Sequence, residues 1–400
     1  SQHITSVSIH KALEKAKDRL EAIIEKVKNT NKCESTFTIS NPCFPYPSGP
    51  REYQIAAFEN WKSNTQKGLF AMATGTGKTI TSLNCLLEIY KKTGCYKALI
   101  LVPTITLVEQ WEKECAKFNF GNVIKVCSKY SGWQTSLSNI RMLELSNPDN
   151  KQSYIIISTY ASFIRSDNFI ELNQLPKKKL LLIADEAHNM GSGRIVKRLN
   201  DIKYLRRIGL SATPERQFDE EGNIRLMDFF GCDSSYTFEY SMEEAIQKGA
   251  LCKYYYYPHL VKLTDDEMAE YVELSYRIAK IINREDDDSK EILKRLLLKR
   301  KQIIHKARNK KDIFQNILKE HLDKTGTLKY TLVYVPEGNK PDDYTADIFD
   351  SYDMIKDDED TVHLINEYTS IVRNLDPHIV VRQFTSESSD RDAMLKDFAN

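Results

Sequence analysis

The segment from Met72 to Thr79 has the residue types and spacing that surround a chain of phosphates. Gly75 and Gly77 stand directly before Lys78 and Thr79, between a short apolar run and a segment with helical spacing. Glycines let backbone N–H groups approach phosphate oxygens, a lysine reaches the β- and γ-phosphates, and a threonine hydroxyl binds Mg²⁺. Because Met72 occupies a position where the strict pattern has Gly or Ala, a glycine turn with a solvated lysine remains the alternative.

Two acidic residues follow another apolar run. Asp185 and Glu186 come directly after residues 180–184, which read as a buried strand. A carboxylate at the end of a buried strand is costly unless it has a partner, and a metal ion is one. We therefore expect Asp185 to bind Mg²⁺ opposite Thr79, and Glu186 to polarise the water that attacks a γ-phosphate. The alternative is an acidic helix N-terminus.

Arg51 and Gln54 lie shortly before the phosphate-binding segment. A glutamine amide carries both a donor and an acceptor, which match the paired acceptor and donor at an adenine edge. The pair means little by itself, but its place in the chain predicts an adenine contact.

Two hydroxyl residues follow a further strand end, in the segment Ser211, Ala212 and Thr213. They are predicted to couple the phosphate site to movement elsewhere. An ordinary capping turn is the alternative.

Strands and helices alternate through this half of the chain. Continuous apolar strands separated by helices predict an α/β fold with a parallel sheet covered on both faces. Ligands of such sheets bind at the carboxyl ends of the strands, where the residues described above fall. The predicted strands are 68–72, 98–103, 123–127, 154–159, 180–185 and 207–211.

Composition limits the classes of function. The 57 basic and 56 acidic residues leave a net charge of +1, so any nucleic-acid surface must be local. The eight cysteines are scattered, as in a reduced cytosolic protein, and their spacing does not suggest zinc. Without a long apolar run or a signal peptide, we expect a soluble cytoplasmic protein with no membrane partner.

Together these segments resemble the motifs of a superfamily 2 helicase or translocase. The residues of motifs I and Ia are most similar to those in the motors of type I and type III restriction enzymes and of prokaryotic phage-defence helicases. The matches are 51–54 to the Q motif, 73–79 to motif I, 102–104 with 107–111 to motif Ia, 158–160 to motif Ib, 185–188 to the DEAH box, and 211–213 to motif III.

The resemblance implies a nucleic-acid-stimulated ATPase with ATP and Mg²⁺ as cofactors and two RecA-like lobes. It implies catalytic roles for Lys78, Asp185, Glu186 and His188, with Thr79 and Asp185 as metal ligands. The implied nucleotide contacts are Arg51, Gln54, Thr74, Gly75, Thr76, Gly77, Lys78, Thr79 and Ile80. The implied nucleic-acid contacts are Pro103, Thr104, Thr159 and Tyr160, and the implied coupling residues are Ser211, Ala212 and Thr213.

We expect four segments. Residues 1–49 would form an accessory helix and a proline-rich linker, 50–250 the first RecA-like lobe, 251–326 a helical, basic connection, and 327–400 the start of a second lobe. The basic run between 294 and 311 is either a solvated helix face or a groove for DNA phosphates. Tyr254 to Tyr257 are expected on alternating faces of a connecting strand, or stacked on bases.

The second lobe is expected to open with a strand at 328–335, followed by a strand at 383–386 and a helix at 391–398. Motifs V and VI have no counterpart before Asn400, so we expect the front portion of a larger protein that binds ATP well and hydrolyses it poorly alone. No His-x-Lys-x₄-Asp pattern and no Glu-x-Lys pair occurs. Any nuclease would therefore lie outside this chain or in a partner.

The predicted function is an ATP-driven motor on double-stranded DNA in a restriction or antiviral defence system. An RNA helicase is the first alternative, because contacts to a sugar-phosphate backbone do not reveal whether a 2′-hydroxyl is read. A nucleotide-gated scaffold, which binds ATP without translocating, is the second.

Overall fold

The structure, a computed structural model, describes residues 41–336 except 148, 192, 216–218, 234 and 285, and residues 358–399 except 386, 387, 389 and 390. The accessory helix predicted within residues 1–49, at positions 9–28, lies outside the described residues. The chain divides into two compact units, 1–247 and 248–400, which are described separately.

A seven-stranded sheet forms the centre of the first unit. Its order is β3-β4-β2-β5-β6-β1-β7, and all of its described pairings are parallel. This confirms the predicted α/β fold. The strands are Lys67–Met72 (β1), Lys97–Val102 (β2), Val123–Val126 (β3), Tyr154–Thr159 (β4), Leu181–Asp185 (β5), Arg206–Ser211 (β6) and Phe238–Tyr240 (β7).

Helices cover the sheet because its central strands are apolar on both faces. Every residue of β2, β4 and β5 is buried, which β-branched and leucine side chains favour. The helices of this unit are Glu52–Ser63 (α1), Lys78–Thr93 (α2), Ile105–Lys117 (α3), Trp133–Ser146 (α4), Tyr160–Phe163 (α5), Ser166–Asn173 (α6), Gly193–Val196 (α7), Glu220–Phe230 (α8) and Met242–Gln247 (α9).

The register of the strands brings the predicted site residues to one edge of the sheet. Val102, at the end of β2, pairs with Thr159 at the end of β4. Asp185, at the end of β5, pairs with Leu210 of β6. Because parallel strands all end at the same edge, the segments that follow them become neighbours although they are far apart in the sequence.

The described part of the second unit is helical. The predicted helical stretch at 265–322 forms three helices, and the first two pack through Leu274, Ile278 and Leu296. The helices of this unit are Asp265–Ile281 (α10), Asp287–His305 (α11), Lys310–Thr325 (α12), Asp358–Leu375 (α13) and Arg391–Ala399 (α14). The last of them confirms the helix predicted at 391–398.

The strands predicted in the second unit are wrong where the structure describes them. Residues 254–257, 328–335 and 383–385 have no strand structure, and Tyr255 and Tyr256 are each 80% exposed. A strand is defined by hydrogen bonds to a neighbouring strand, and none of the described strands pairs with these segments. The apolar residues of these segments favour an extended backbone, but they do not show whether a neighbouring strand is available to pair with it.

Among the described residues, no helix is both long enough and apolar enough to cross a membrane.

A substitution at Gly209 tests the close packing of the sheet. A Cβ atom there would lie 2.6 Å from Leu69 Cδ1 and 2.8 Å from Phe230 Cζ. We expect Gly209→Ala to lower the free energy of unfolding by about 1–3 kcal/mol, because overpacking forces these side chains to move. Urea denaturation measures this change.

Gly121→Ala is the control, since a Cβ there would only reach Tyr96 Oη at 3.9 Å. Equal unfolding midpoints for the two variants would contradict the packing at Gly209.

Candidate nucleotide and metal site

The loop between β1 and α2 has the backbone shape of a phosphate cradle. Gly75 and Gly77 have φ angles of +84° and +83°, in the left-handed region that favours glycine. Gly77 directly precedes the first residue of α2, so the loop ends at a helix N-terminus with its unpaired N–H groups. The Thr76 hydroxyl donates to the Ala73 carbonyl at 2.6 Å and holds the loop closed.

Lys78 and Thr79 keep their polar atoms available. The Lys78 ammonium makes one hydrogen bond, a long one of 3.5 Å to the Met72 carbonyl. The Thr79 hydroxyl makes no hydrogen bond to the described part of the chain, and both residues are half-buried. A lysine with spare donors and a hydroxyl without a partner at a helix N-terminus fit a triphosphate and its Mg²⁺. Of the other predicted contacts, Thr74 is exposed and Ile80 is half-buried.

Helix α1 is fastened to this loop. The Tyr53 hydroxyl donates to the Thr76 carbonyl at 2.6 Å. The Gln54 side-chain oxygen accepts the Arg51 backbone N–H at 2.9 Å, and its nitrogen lies 3.3 Å from the place a Gly77 Cβ would take. One acceptor position of Gln54 is therefore used within its own helix, while its donor faces the loop. An adenine contact by Arg51 and Gln54 stays a prediction.

Asp185 is a buried carboxylate held by two N–H donors. It is 7% exposed. Its Oδ2 accepts the Trp111 indole N–H at 2.8 Å, and its Oδ1 accepts the Glu186 backbone N–H at 3.0 Å. Burial raises the pKa of the Asp185 carboxyl, and the charge of Glu186 raises it further. The Trp111 hydrogen bond, the Glu186 backbone N–H and the positive charge of Lys78 lower the pKa of the Asp185 carboxyl and so act in the opposite direction.

Glu186, His188 and Ser211 form a polar chain beside Asp185. Glu186 has a φ of +47°, which is uncommon for a residue with a side chain. His188 Nδ1 lies 3.5 Å from Glu186 Oε2 and 3.2 Å from Ser211 Oγ. The Thr213 backbone N–H also donates to Ser211 Oγ, at 3.2 Å. The structure thus places the predicted catalytic and coupling segments in contact, with Ser211 as the residue that joins them; Ala212 has no such role.

The predicted nucleic-acid contacts lie at two helix starts. Thr104 Oγ1 accepts the Leu107 N–H at 3.4 Å, and Thr159 Oγ1 accepts the Ser162 N–H at 3.2 Å. Both hydroxyls therefore act as N-caps, which leaves backbone N–H groups as the donors that these helix starts present.

Three of the four predicted nucleic-acid contacts are buried. Pro103 is buried, and Thr159 is 5% exposed. Tyr160 is 5% exposed, and its hydroxyl donates to the Asp185 backbone carbonyl at 2.8 Å. The Tyr160 side chain therefore faces the core of the lobe, and a nucleic-acid contact by this residue, which stays a prediction, would be made through its backbone.

Trp111 contacts the candidate site, although the sequence indicates no role for it beyond its place in motif Ia. The sequence does indicate that Trp111 is buried, since Val108, Trp111 and Cys115 fall on one face of α3. A buried indole N–H requires a hydrogen-bond acceptor. The identity of that acceptor depends on a strand 74 residues further along the chain.

The raised pKa of Asp185 predicts a pH dependence of stability. Between the unfolded value of about 4 and the higher folded value, the folded chain binds more protons than the unfolded chain. The stability that this residue contributes therefore falls as the pH rises through that window. Asn does not titrate, so the free energy of unfolding of Asp185→Asn relative to wild type should increase from acid to neutral pH.

Urea denaturation of both proteins between about pH 4 and pH 8 measures this difference. Asp201→Asn, at an exposed carboxylate, is the control. A difference for Asp185→Asn that stays constant over this range would contradict the assignment.

Comparisons with known proteins support the reading of the first unit. Residues 48–216 match the sequence model of the family described as the type III restriction enzyme res subunit. The chain is 27% identical over 194 residues to the XPB helicase/translocase subunit of the TFIIH complex of Trypanosoma brucei brucei, covering 44% of this chain and 18% of that protein. It is 30% identical over 224 residues to the DNA 3′-5′ translocase XPB2 of Sulfurisphaera tokodaii, covering 55% and 42%.

A third relative comes from a restriction system. The chain is 26% identical over 211 residues to a type I restriction enzyme endonuclease subunit of Staphylococcus saprophyticus, covering 50% of this chain and 21% of that protein. The chain spans less than half the length of each of these relatives. The matches confirm the predicted resemblance: the first unit of this chain is similar to superfamily 2 helicases and to subunits of restriction enzymes.

Proposed function

We propose that this chain is part of an ATP-driven motor that moves along or separates double-stranded DNA. The observation that carries the proposal is the arrangement at the carboxyl edge of one parallel sheet. A glycine loop with available Lys78 and Thr79 groups follows β1, and the buried Asp185 carboxylate ends β5 at the same edge of the sheet, followed by the half-exposed Glu186. These are the groups that binding and hydrolysis of a nucleoside triphosphate require.

The residues divide the chemistry between them. Magnesium ATP supplies the γ-phosphate that is transferred to water. Thr79 and Asp185 would hold the metal ion, and Lys78 with the loop N–H groups would bind the β- and γ-phosphates. Glu186 would orient and deprotonate the attacking water, while His188 and Ser211 would link this step to the neighbouring strand end.

DNA is the proposed nucleic acid. The relatives named above include a DNA translocase and a restriction endonuclease subunit. The starts of α3 and α5, at Thr104 and Thr159, would contact backbone phosphates through their N–H groups, which positions a strand without reading its sequence. An RNA helicase is the alternative, because such contacts do not involve the 2′-hydroxyl.

A role in a cytoplasmic restriction or antiviral defence system is the finer part of the proposal. It is supported by the match to a restriction family over 48–216. A nuclease domain or subunit outside this chain would then supply the cleavage. We also propose that this chain alone hydrolyses ATP weakly, because the sequence has no counterpart of the arginine-bearing motif VI. Such an arginine is worth roughly 10³–10⁵ in rate in related enzymes.

ATP hydrolysis by the protein tests the function. We expect duplex DNA to stimulate turnover more than single-stranded DNA or RNA. Lys78→Ala should reduce the stimulated rate by about 100-fold or more, because it removes a charge that stabilises the developing negative charge on the phosphate. Steady-state phosphate release with each nucleic acid measures both effects.

Lys92→Ala, an exposed position on the same helix α2, is the matched control and should keep the wild-type rate. Stronger stimulation by RNA would favour the RNA helicase. Nucleotide binding without turnover on any nucleic acid would overturn the motor and leave the nucleotide-gated scaffold.

A further inference from the structure

Three hydrogen bonds hold Asp185 from different parts of the lobe. The Trp111 indole, on α3, binds its Oδ2 at 2.8 Å. The Tyr160 hydroxyl, on α5, binds its backbone carbonyl at 2.8 Å. The Glu186 N–H binds its Oδ1 at 3.0 Å. Trp111 is 1% exposed and Tyr160 is 5% exposed, so water competes little for these donors.

The partner of Trp111 distinguishes it from an ordinary buried tryptophan. Trp61, which is also fully buried, donates its indole N–H to the Arg207 backbone carbonyl at 2.9 Å. A carbonyl of this kind satisfies an indole at little cost. Trp111 instead uses a carboxylate, whose burial is expensive, at the carboxyl end of β5. Packing alone does not require a buried tryptophan to have a carboxylate as the acceptor of its N–H group.

The effect of the indole is to fix the carboxylate group of Asp185. With one N–H donor on each oxygen, the carboxylate cannot rotate without breaking a bond. Each oxygen still has lone-pair capacity for a cation. Outer hydrogen bonds of this type orient metal-binding carboxylates, and their loss typically reduces metal affinity or activity by 10- to 100-fold.

Tyr160 acts on the backbone of the same residue. The Asp185 carbonyl that it binds belongs to the peptide leading into Glu186, whose φ of +47° is strained for a residue with a side chain. Such a conformation persists only when its surroundings hold it. Asn189 donates to the Glu186 carbonyl at 3.0 Å and fixes the other side of this residue. The Tyr160 hydroxyl therefore helps to set the direction of both acidic side chains.

We propose that Trp111 and Tyr160 are positioning residues that pre-orient Asp185 for Mg²⁺, an inference that rests on the proposed function. Neither residue contacts the nucleotide in this role. Trp111 lies two helical turns after Thr104, and Tyr160 directly follows Thr159. The same hydrogen bonds thus connect the metal carboxylate to the two helix starts that carry the proposed nucleic-acid contacts.

A magnesium titration of nucleotide binding tests this inference without turnover. The 400-residue chain is mixed with a fluorescent, non-hydrolysable ATP analogue, and binding is followed by fluorescence anisotropy as Mg²⁺ is added. For Trp111→Phe, which removes the N–H donor, we expect the Mg²⁺ midpoint to rise by about 10- to 100-fold. The affinity for the analogue in EDTA should stay unchanged.

Trp61→Phe is the matched control, because it also removes one buried indole hydrogen bond but lies away from the acidic motif. Its Mg²⁺ midpoint should equal that of the wild type. Equal midpoints for folded Trp111→Phe and Trp61→Phe would overturn the role of Trp111. Circular dichroism establishes that each variant is folded.

Tyr160→Phe is the second variant and removes a single oxygen atom. We expect its Mg²⁺ midpoint to rise by about 2- to 10-fold, the effect of one hydrogen bond. If Trp111→Phe does not fold, Tyr160→Phe alone tests the inference. An unchanged Mg²⁺ midpoint for folded Tyr160→Phe would then overturn it. Wild-type protein that binds the analogue without any dependence on Mg²⁺ would overturn the inference alone, whereas wild-type protein that does not bind it at all would overturn the proposed function as well.

Discussion

The buried carboxylate of Asp185 is the constraint around which the lobe is arranged. A carboxylate that loses water must gain donors or a cation. Here the indole of α3, the N–H of the next residue and the charge of Lys78 all favour its ionised form, against the effect of burial. Helix α3 and the phosphate loop must therefore keep their places relative to β5, or this residue becomes a large cost to stability.

The phosphate loop is constrained differently. Its shape depends on two glycines in the left-handed region, and it is closed by the Thr76 hydroxyl and the Tyr53 hydroxyl. The groups that would bind a ligand, Lys78 and Thr79, take almost no part in that internal bonding. The atoms that hold the loop in shape are thus different from the atoms available to a ligand. A ligand can therefore bind without breaking the hydrogen bonds that shape the loop.

The tyrosines show what local sequence leaves open. The resemblance of 158–160 to motif Ib predicts Tyr160 as a nucleic-acid contact, and the tyrosines at 254–257 are expected on a connecting strand or stacked on bases. Tyr160 is buried with its hydroxyl on Asp185, and the other tyrosines are exposed without a strand partner. Whether a tyrosine faces the core, a ligand or solvent depends on what lies opposite it, and local sequence does not contain that information.

The sequence by itself determined six of the seven strands of the parallel sheet, with limits within one residue, but not β7. It also determined that the glycine loop and the acidic pair follow strand ends. These follow from local patterns: continuous apolar runs, glycines before Lys78 and Thr79, and an acidic pair after a strand. Only the tertiary structure decided that Trp111 binds Asp185 across 74 positions of sequence, and that His188 meets Ser211. The physical reason is that the order of parallel strands in a sheet is independent of their order in the chain, and this order alone selects which strand ends become neighbours.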